Sequence, residues 1–268
     1  MSRAERLGTT ISLILLGLAL APIILLPSRE LGLSVFGSRW TFHLSGMMQF
    51  TLVLAGLACA SVDGIVREHP TMRGVSVLYS ATYWGLPVIV IVGGLLLTRQ
   101  VSWWGYRAIV ILLCGGLLAL IARSQYETVD PSSRRYRLAR VFLNTLTYAC
   151  SLYFFSVLVG TSMGLLRVAA GVALISVMLS LGLFRQERQE WQRTWLYALL
   201  VGLVMGEIAW ELGQNATLAG DAAGLLLVIY YVVAGVAQQH LWGRLTARVA
   251  LEYGALGLAG LAVILGVA

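Results

Sequence analysis

The chain is predicted to be an all-α, polytopic helical bundle embedded in a membrane, with about nine transmembrane helices. Three observations predict it. Hydrophobic residues make up 59% of the chain and charged residues only 12%, at a mean hydropathy of +0.83, whereas roughly a quarter of a soluble domain is charged. A membrane span requires about 20 largely apolar residues, and stretches of that kind occupy most of the 268 positions. The polar segments between them are short, so residues 1–268 read as a single transmembrane domain.

The first span is expected at 8–26. Arg3 and Arg6 precede it as in the positive region of a signal peptide, but the apolar run is too long and lacks a small-residue cleavage site before Pro27, so it reads as a retained anchor. The remaining spans are expected at 42–66, 74–98, 103–122, 141–163, 165–184, 194–212, 219–241 and 249–268. A tight turn near Gly164 makes the fifth and sixth a hairpin. Thr82-Tyr83, Thr147-Tyr148 and Thr194-Trp195 each fall near the start of a helical hairpin, and Arg107 and Arg167 open the returning helices of the first two. These echoes define candidate hairpin repeats at 74–122, 141–184 and 194–241, an arrangement met in transporters.

Basic loops remain cytoplasmic. With the amino terminus inside, the inner segments hold Arg3, Arg6, Arg67, Arg73, Arg123, Arg134, Arg135, Arg137, Arg140, Arg185, Arg188, Arg193, Arg244 and Arg248, fourteen of the 19 basic residues. The outer segments hold Arg29, Arg39, Arg99, Arg107 and Arg167, the other five. A cytoplasmic amino terminus and an outside carboxyl terminus follow, in a multi-pass protein of a bacterial inner, or plasma, membrane.

All the basic residues are arginine, as a GC-rich genome would produce. The absence of lysine excludes retinal or pyridoxal Schiff bases, a P-loop lysine and a lysine nucleophile. Cys59, Cys114 and Cys150 lie in apolar stretches without CxxC spacing and read as thiols packed between helices. His43, His69 and His240 show no metal-ligand spacing, and the last two stand at helix ends, in VREHP and AQQHLWGR. Neither a metal nor a cofactor is expected. Asn215-Ala216-Thr217 is a glycosylation sequon too close to the membrane to be modified.

The polar residues within spans carry the functional signal. Asp63 and Arg67, and Arg248 and Glu252, are four residues apart and are expected to pair as anchors at the cytoplasmic boundary. Glu207 and Glu211 share a helix face with no arginine within four residues on their own helix, and a carboxylate at that depth is costly and usually functional. Two carboxylates so close repel, and in a low dielectric one would retain a proton. Arg167, Arg107 and Asp221 are expected in the same outer half of the membrane, so these five residues form the candidate substrate or ion path near the sixth to eighth spans. Thr194, Ala198, Gly202 and Gly206 recur every four residues as a small-residue strip for a close helix contact, assigned here to the following span with its Gly220 and Gly224. Tyr230 and Tyr231 lie mid-span and require hydrogen-bond partners.

The loop at 123–140 gathers Arg123, Arg134, Arg135, Arg137 and Arg140 against Glu127 and Asp130. Anionic lipid headgroups are its expected partner, at roughly 1 kcal/mol per basic side chain near the surface; nucleic acid fits poorly. The leading functional expectation is transport or translocation of a small solute, ion or lipid. An accessory or scaffold subunit, with homo-oligomeric or other membrane-protein partners, is the alternative. An intramembrane enzyme ranks last, because no DxxxD pair, HExxH or Ser/His arrangement occurs.

Overall fold

A computed structural model describes the chain except residues 1–2, 22–23, 25–26, 36–37, 73–75, 102, 131, 162–163, 186–190, 215–219 and 267–268. The sequon at 215–217 lies outside the described residues. Among those described, ten α-helices and one β-hairpin form two compact units, one of Met1–Arg73 with Pro87–Tyr126 and the other of Gly74–Leu86 with Glu127–Ala268.

The first unit opens with α1 (Arg3–Leu20), whose Ile14 and Leu18 are buried. It packs on α2 (Gly46–Arg67), and Gly17 leaves the space that the Leu54 side chain takes. Arg6 at the start of α1 reaches Glu68 just past the end of α2, at 3.2 Å, so the two helices run antiparallel. Between them stand β1 (Arg29–Val35) and β2 (Ser38–Leu44), antiparallel with Arg29 opposite Leu44 and Val35 opposite Ser38. The second helix therefore begins at Gly46, where Ser45 accepts from Met48 N–H as an N-cap, and not at residue 42. The reason is written in period two: Leu31, Leu33 and Val35, then Trp40, Phe42 and Leu44, alternate with polar residues or glycine, the pattern of a strand.

The expected span at 74–98 is broken. Ser76 caps the single turn α3 (Val77–Ser80), a 3-10 turn follows at Ala81–Tyr83, and α4 (Gly85–Gln100) leaves at a bend of 44°. Ser80 and Thr82 hydroxyls donate back to the carbonyls of Val77 and Tyr79, and Gly85 and Pro87 open α4, all sources of a break. Gly85 is required there, since a Cβ would collide with the Met178 carbonyl. α5 (Trp104–Glu127) completes the first unit, with Cys114 against Gly94 and Leu15 against Gly115. His69 meets Tyr126 edge-on at 5.0 Å, so α2 and α5 finish at the same end.

The second unit is built around α7 (Leu165–Phe184), which contacts α6 (Tyr136–Val159), α8 (Trp191–Gln214), α9 (Ala222–Leu241) and the 3-10 turn. No charge interrupts α7 after Arg167, which lets it be enclosed. Between helices in a membrane the attraction is close packing rather than expulsion of water, and small residues permit it. The α8 strip is buried as expected, but its partner is the preceding helix: Gly202 faces Val177 and the Ala173 carbonyl, Gly206 faces Ala173, and Gly213 faces Leu165. α10 (Ala247–Gly266) runs antiparallel to α9 by the same device, with Ile264, Val228, Val232 and Tyr253 seated on Gly224, Gly260, Gly257 and Gly235. Gly224 thus serves α10, not α8.

Among the described residues, seven helices, α2 and α5 to α10, are long and apolar enough to cross a membrane, and the bent α3–α4 pair makes an eighth if it is one span. The first expected span, 8–26, corresponds to α1, which ends at Leu20 and whose first turn holds Arg3, Glu5 and Arg6. The protein is a helical, membrane-embedded bundle.

Candidate functional site

α8 presents two opposite faces. Thr194, Ala198, Val201, Gly202, Met205 and Ala209 are buried. On the other side, Leu200, Leu203, Val204 and Trp210 are exposed, and Glu207 and Glu211 are exposed among them. Residues 200, 204, 207 and 211 follow helical spacing, so the carboxylates interrupt an apolar stripe. Glu207 stands seven residues before the end of α8, about 10 Å along the axis. No salt bridge to Glu207 forms among the described residues.

Of the other candidate path residues, Arg167 is exposed in the first turn of α7, and Asp221 is half-buried at the N-cap of α9 without a side-chain capping bond. Both stand at the end of the second unit where α8 finishes. There Thr161, Leu165, Gly213, Ala222 and Leu226 line an apolar cavity of about 220 Å³. Arg107 belongs to the first unit, where its Nε donates to the Val101 carbonyl at 2.7 Å and ties the start of α5 to the segment leaving α4.

The other end of the second unit holds a polar cluster. In the loop before α6, Asp130 accepts from the Ser132 backbone and hydroxyl, at 2.9 and 2.7 Å, and Glu127 accepts from Ser133. Arg134, Arg135 and Arg137 are exposed. Arg140 turns inward instead. It donates to the carbonyls of Leu183 and Arg185, both at 3.3 Å, and lies 4.8 Å from the centre of the Trp242 ring. Arg185 is only 7% exposed; its Nη2 donates to Thr128 Oγ1 at 2.6 Å and its guanidinium covers the Tyr83 ring at 3.7 Å. Gln238 of α9 donates to Leu183 at 2.7 Å. The last carbonyls of α7, which the helix leaves without partners, are thereby satisfied by side chains from α6 and α9.

From the sequence Arg185 reads only as one of the inner-segment arginines and Tyr83 only as part of the Thr82-Tyr83 echo, while Thr128 and Gln238 carry no expectation. The available signal is the position of Arg185, directly after an apolar helix; which neighbours close over it depends on tertiary packing. Tyr230 meets the Ser180 hydroxyl at 3.2 Å, and the Tyr231 ring lies tilted against those of Tyr148 and Tyr253. The two anchor pairs form as expected, Asp63–Arg67 at 2.6 Å and Arg248–Glu252 at 3.2 Å.

Neither the curated proteins nor the solved structures yield a match to this chain. One family model matches residues 26–267, and the chain accordingly belongs to the family described as Protein of unknown function (DUF5656).

Proposed function

We propose that the protein is a subunit that assembles laterally in the membrane with a partner helix, through the acidic face of α8. The observation that carries this reading is the exposure of Glu207 among Leu203, Val204 and Trp210. An acidic side chain facing lipid costs up to roughly 2.5–3.5 kcal/mol at the helix centre and less toward its end, and a partner offering arginine or several N–H and O–H donors at the depth of Glu207 removes the cost. The opposite face of α8 is already committed to α7. This makes the accessory or scaffold role the leading one. The arginine distribution supports a cytoplasmic amino terminus in an inner or plasma membrane.

Native mass spectrometry of gently solubilised protein from its own host tests the proposal. A stoichiometric partner, weakened in Glu207→Gln and more so in Glu207→Gln/Glu211→Gln, is the expected result. A lone chain with unchanged stability in both variants would remove the basis for it.

A second reading, translocation of a small solute or ion, draws on the gathering of Arg167, Glu211 and Asp221 at the cavity end of the second unit. Under it, Asp221→Asn and Arg167→Gln abolish uptake into proteoliposomes while leaving partner binding intact. The α8-interface reading predicts the reverse dependence, on Glu207.

A further inference from the structure

We propose that the cleft between α1 and α2 holds a zwitterionic phospholipid of the phosphatidylethanolamine class, with an acyl chain between the helices and the headgroup on the Arg6–Glu68 pair. The cleft has a volume of about 210 Å³ and is walled chiefly by Leu7 of α1 and by Leu57, Ala60 and Gly64 of α2, with Arg6 and Glu68 also in its lining. Small residues on α2 make the opening: Ala60 and Gly64 are exposed, and a Cβ on Gly64 would meet nothing within 4 Å. α2 is long and apolar enough to cross a membrane, and an apolar cleft on such a helix meets lipid tails, which are as apolar as leucine. A helix is about 10–12 Å across with its side chains, too wide to enter the cleft, whereas an acyl chain is not.

The ion pair selects the headgroup. Arg6 stands in the first turn of α1 and Glu68 just past the end of α2, so the pair lies at the helix ends, where a bilayer carries its polar region. Arg6 Nη1 and Glu68 Oε1 are 3.2 Å apart, and both side chains stay partly exposed beside the cleft. A guanidinium donates to phosphate oxygens, and a carboxylate accepts from an ammonium. One positive and one negative charge side by side therefore match a headgroup that carries both. An anionic headgroup such as that of phosphatidylglycerol meets Arg6 but is opposed by Glu68, and the quaternary ammonium of phosphatidylcholine has no N–H to donate. The arginines of the 123–140 loop attract any anionic surface, whereas this site discriminates between headgroups. The inference concerns the first unit alone and does not rest on the α8 interface.

The full-length protein is placed in nanodiscs of equimolar phosphatidylcholine, phosphatidylethanolamine and phosphatidylglycerol, and the lipids it retains are counted by native mass spectrometry. Phosphatidylethanolamine should be retained roughly twofold to fivefold over phosphatidylcholine, the size expected of contacts to partly exposed charges. Gly64→Leu, which fills the cleft, should remove that excess without loss of folded protein, because the new side chain starts in open space. Gly56→Leu, on the same helix with equally open space at its Cβ but outside the cleft lining, should leave the excess intact. Glu68→Gln should turn the added retention toward phosphatidylglycerol, and Arg6→Gln should lower retention of both. Should Gly64→Leu fail to fold, Ala60→Leu serves in its place. The proposal is overturned if phosphatidylethanolamine is not retained above phosphatidylcholine, if the cleft-filling variants retain it as the parent does, or if Glu68→Gln leaves the headgroup preference unchanged. It is also overturned if Gly64→Leu releases a protein chain rather than a lipid, since a partner helix would then cover the cleft.

Discussion

The hydroxyls of Ser180 and Tyr230 meet at 3.2 Å, with both residues wholly buried in the second unit. This bond joins α7 to α9 across the interior, where Phe155 and Tyr148 pack edge-on against the Tyr230 ring. Hydrogen bonds between membrane helices are worth about 0.6 kcal/mol on average and up to about 1.7. Tyr230→Phe and Ser180→Ala should each lower stability within that range, and the double variant should cost less than their sum. Unfolding in mixed micelles gives the cycle; additive effects would show that the two hydroxyls do not share a bond.

Glycine positions on neighbouring helices should respond in opposite ways. A methyl group on Gly202 would enter the Ala173 carbonyl and the Val177 side chain, while one on Gly182 meets nothing within 4 Å. Overpacking typically costs about 1–3 kcal/mol, whereas an open helical glycine exchanged for alanine gains roughly 0.5–1 kcal/mol from backbone entropy. Gly202→Ala should therefore lose folded yield and melt earlier, and Gly182→Ala should match or exceed the parent in the same assay.

The sequence made the membrane class, most helix positions and both i, i+4 ion pairs legible, because each depends on composition or on spacing within one helix. What escaped it was tertiary. The four-residue strip on α8 is visible as a pattern, but a strip of small residues does not name its partner, and α7 rather than α9 fills it. The strands at 29–44 carry an alternation that the apolar run starting at Phe42 obscured. Arg140 was grouped with the exposed arginines of its loop, and only the folded chain separates it from them by turning it onto the end of α7. For Glu207 the helix and the position along it are legible in the sequence; the fold adds the direction, away from α7.

The exposed ion pair of the first unit should matter little to stability. Arg6 and Glu68 approach to 3.2 Å, but their side chains are 61% and 29% exposed, and such pairs are typically worth about 0.2–1 kcal/mol. Arg6→Gln should shift the melting temperature by less than Gly202→Ala does. If it instead unfolds the first unit, the contact between α1 and α2 depends on that pair and not on Leu54 seated at Gly17.

Sidedness can be read from single cysteines in a chain with Cys59, Cys114 and Cys150 replaced by alanine or serine. The basic cluster Arg134, Arg135 and Arg137 is exposed at one end of the second unit, and Arg167 is exposed at the other, because the single helix α6 separates them. With arginine-rich ends retained in the cytoplasm, Arg135→Cys should react with a membrane-impermeant maleimide only after the cells are opened. Arg167→Cys should react in intact cells. The exposed acidic Glu30, which starts the hairpin ahead of α2, lies opposite the end that carries Glu68 and should label with Arg167→Cys when changed to cysteine. Labelling of Arg135→Cys in intact cells together with protection of Arg167→Cys would invert the second unit and move Arg140 and Arg185 to the outer leaflet. Labelling of Glu30→Cys and Arg167→Cys from opposite sides would require an odd number of crossings between them, and hence that the bent α3–α4 segment does not traverse the membrane.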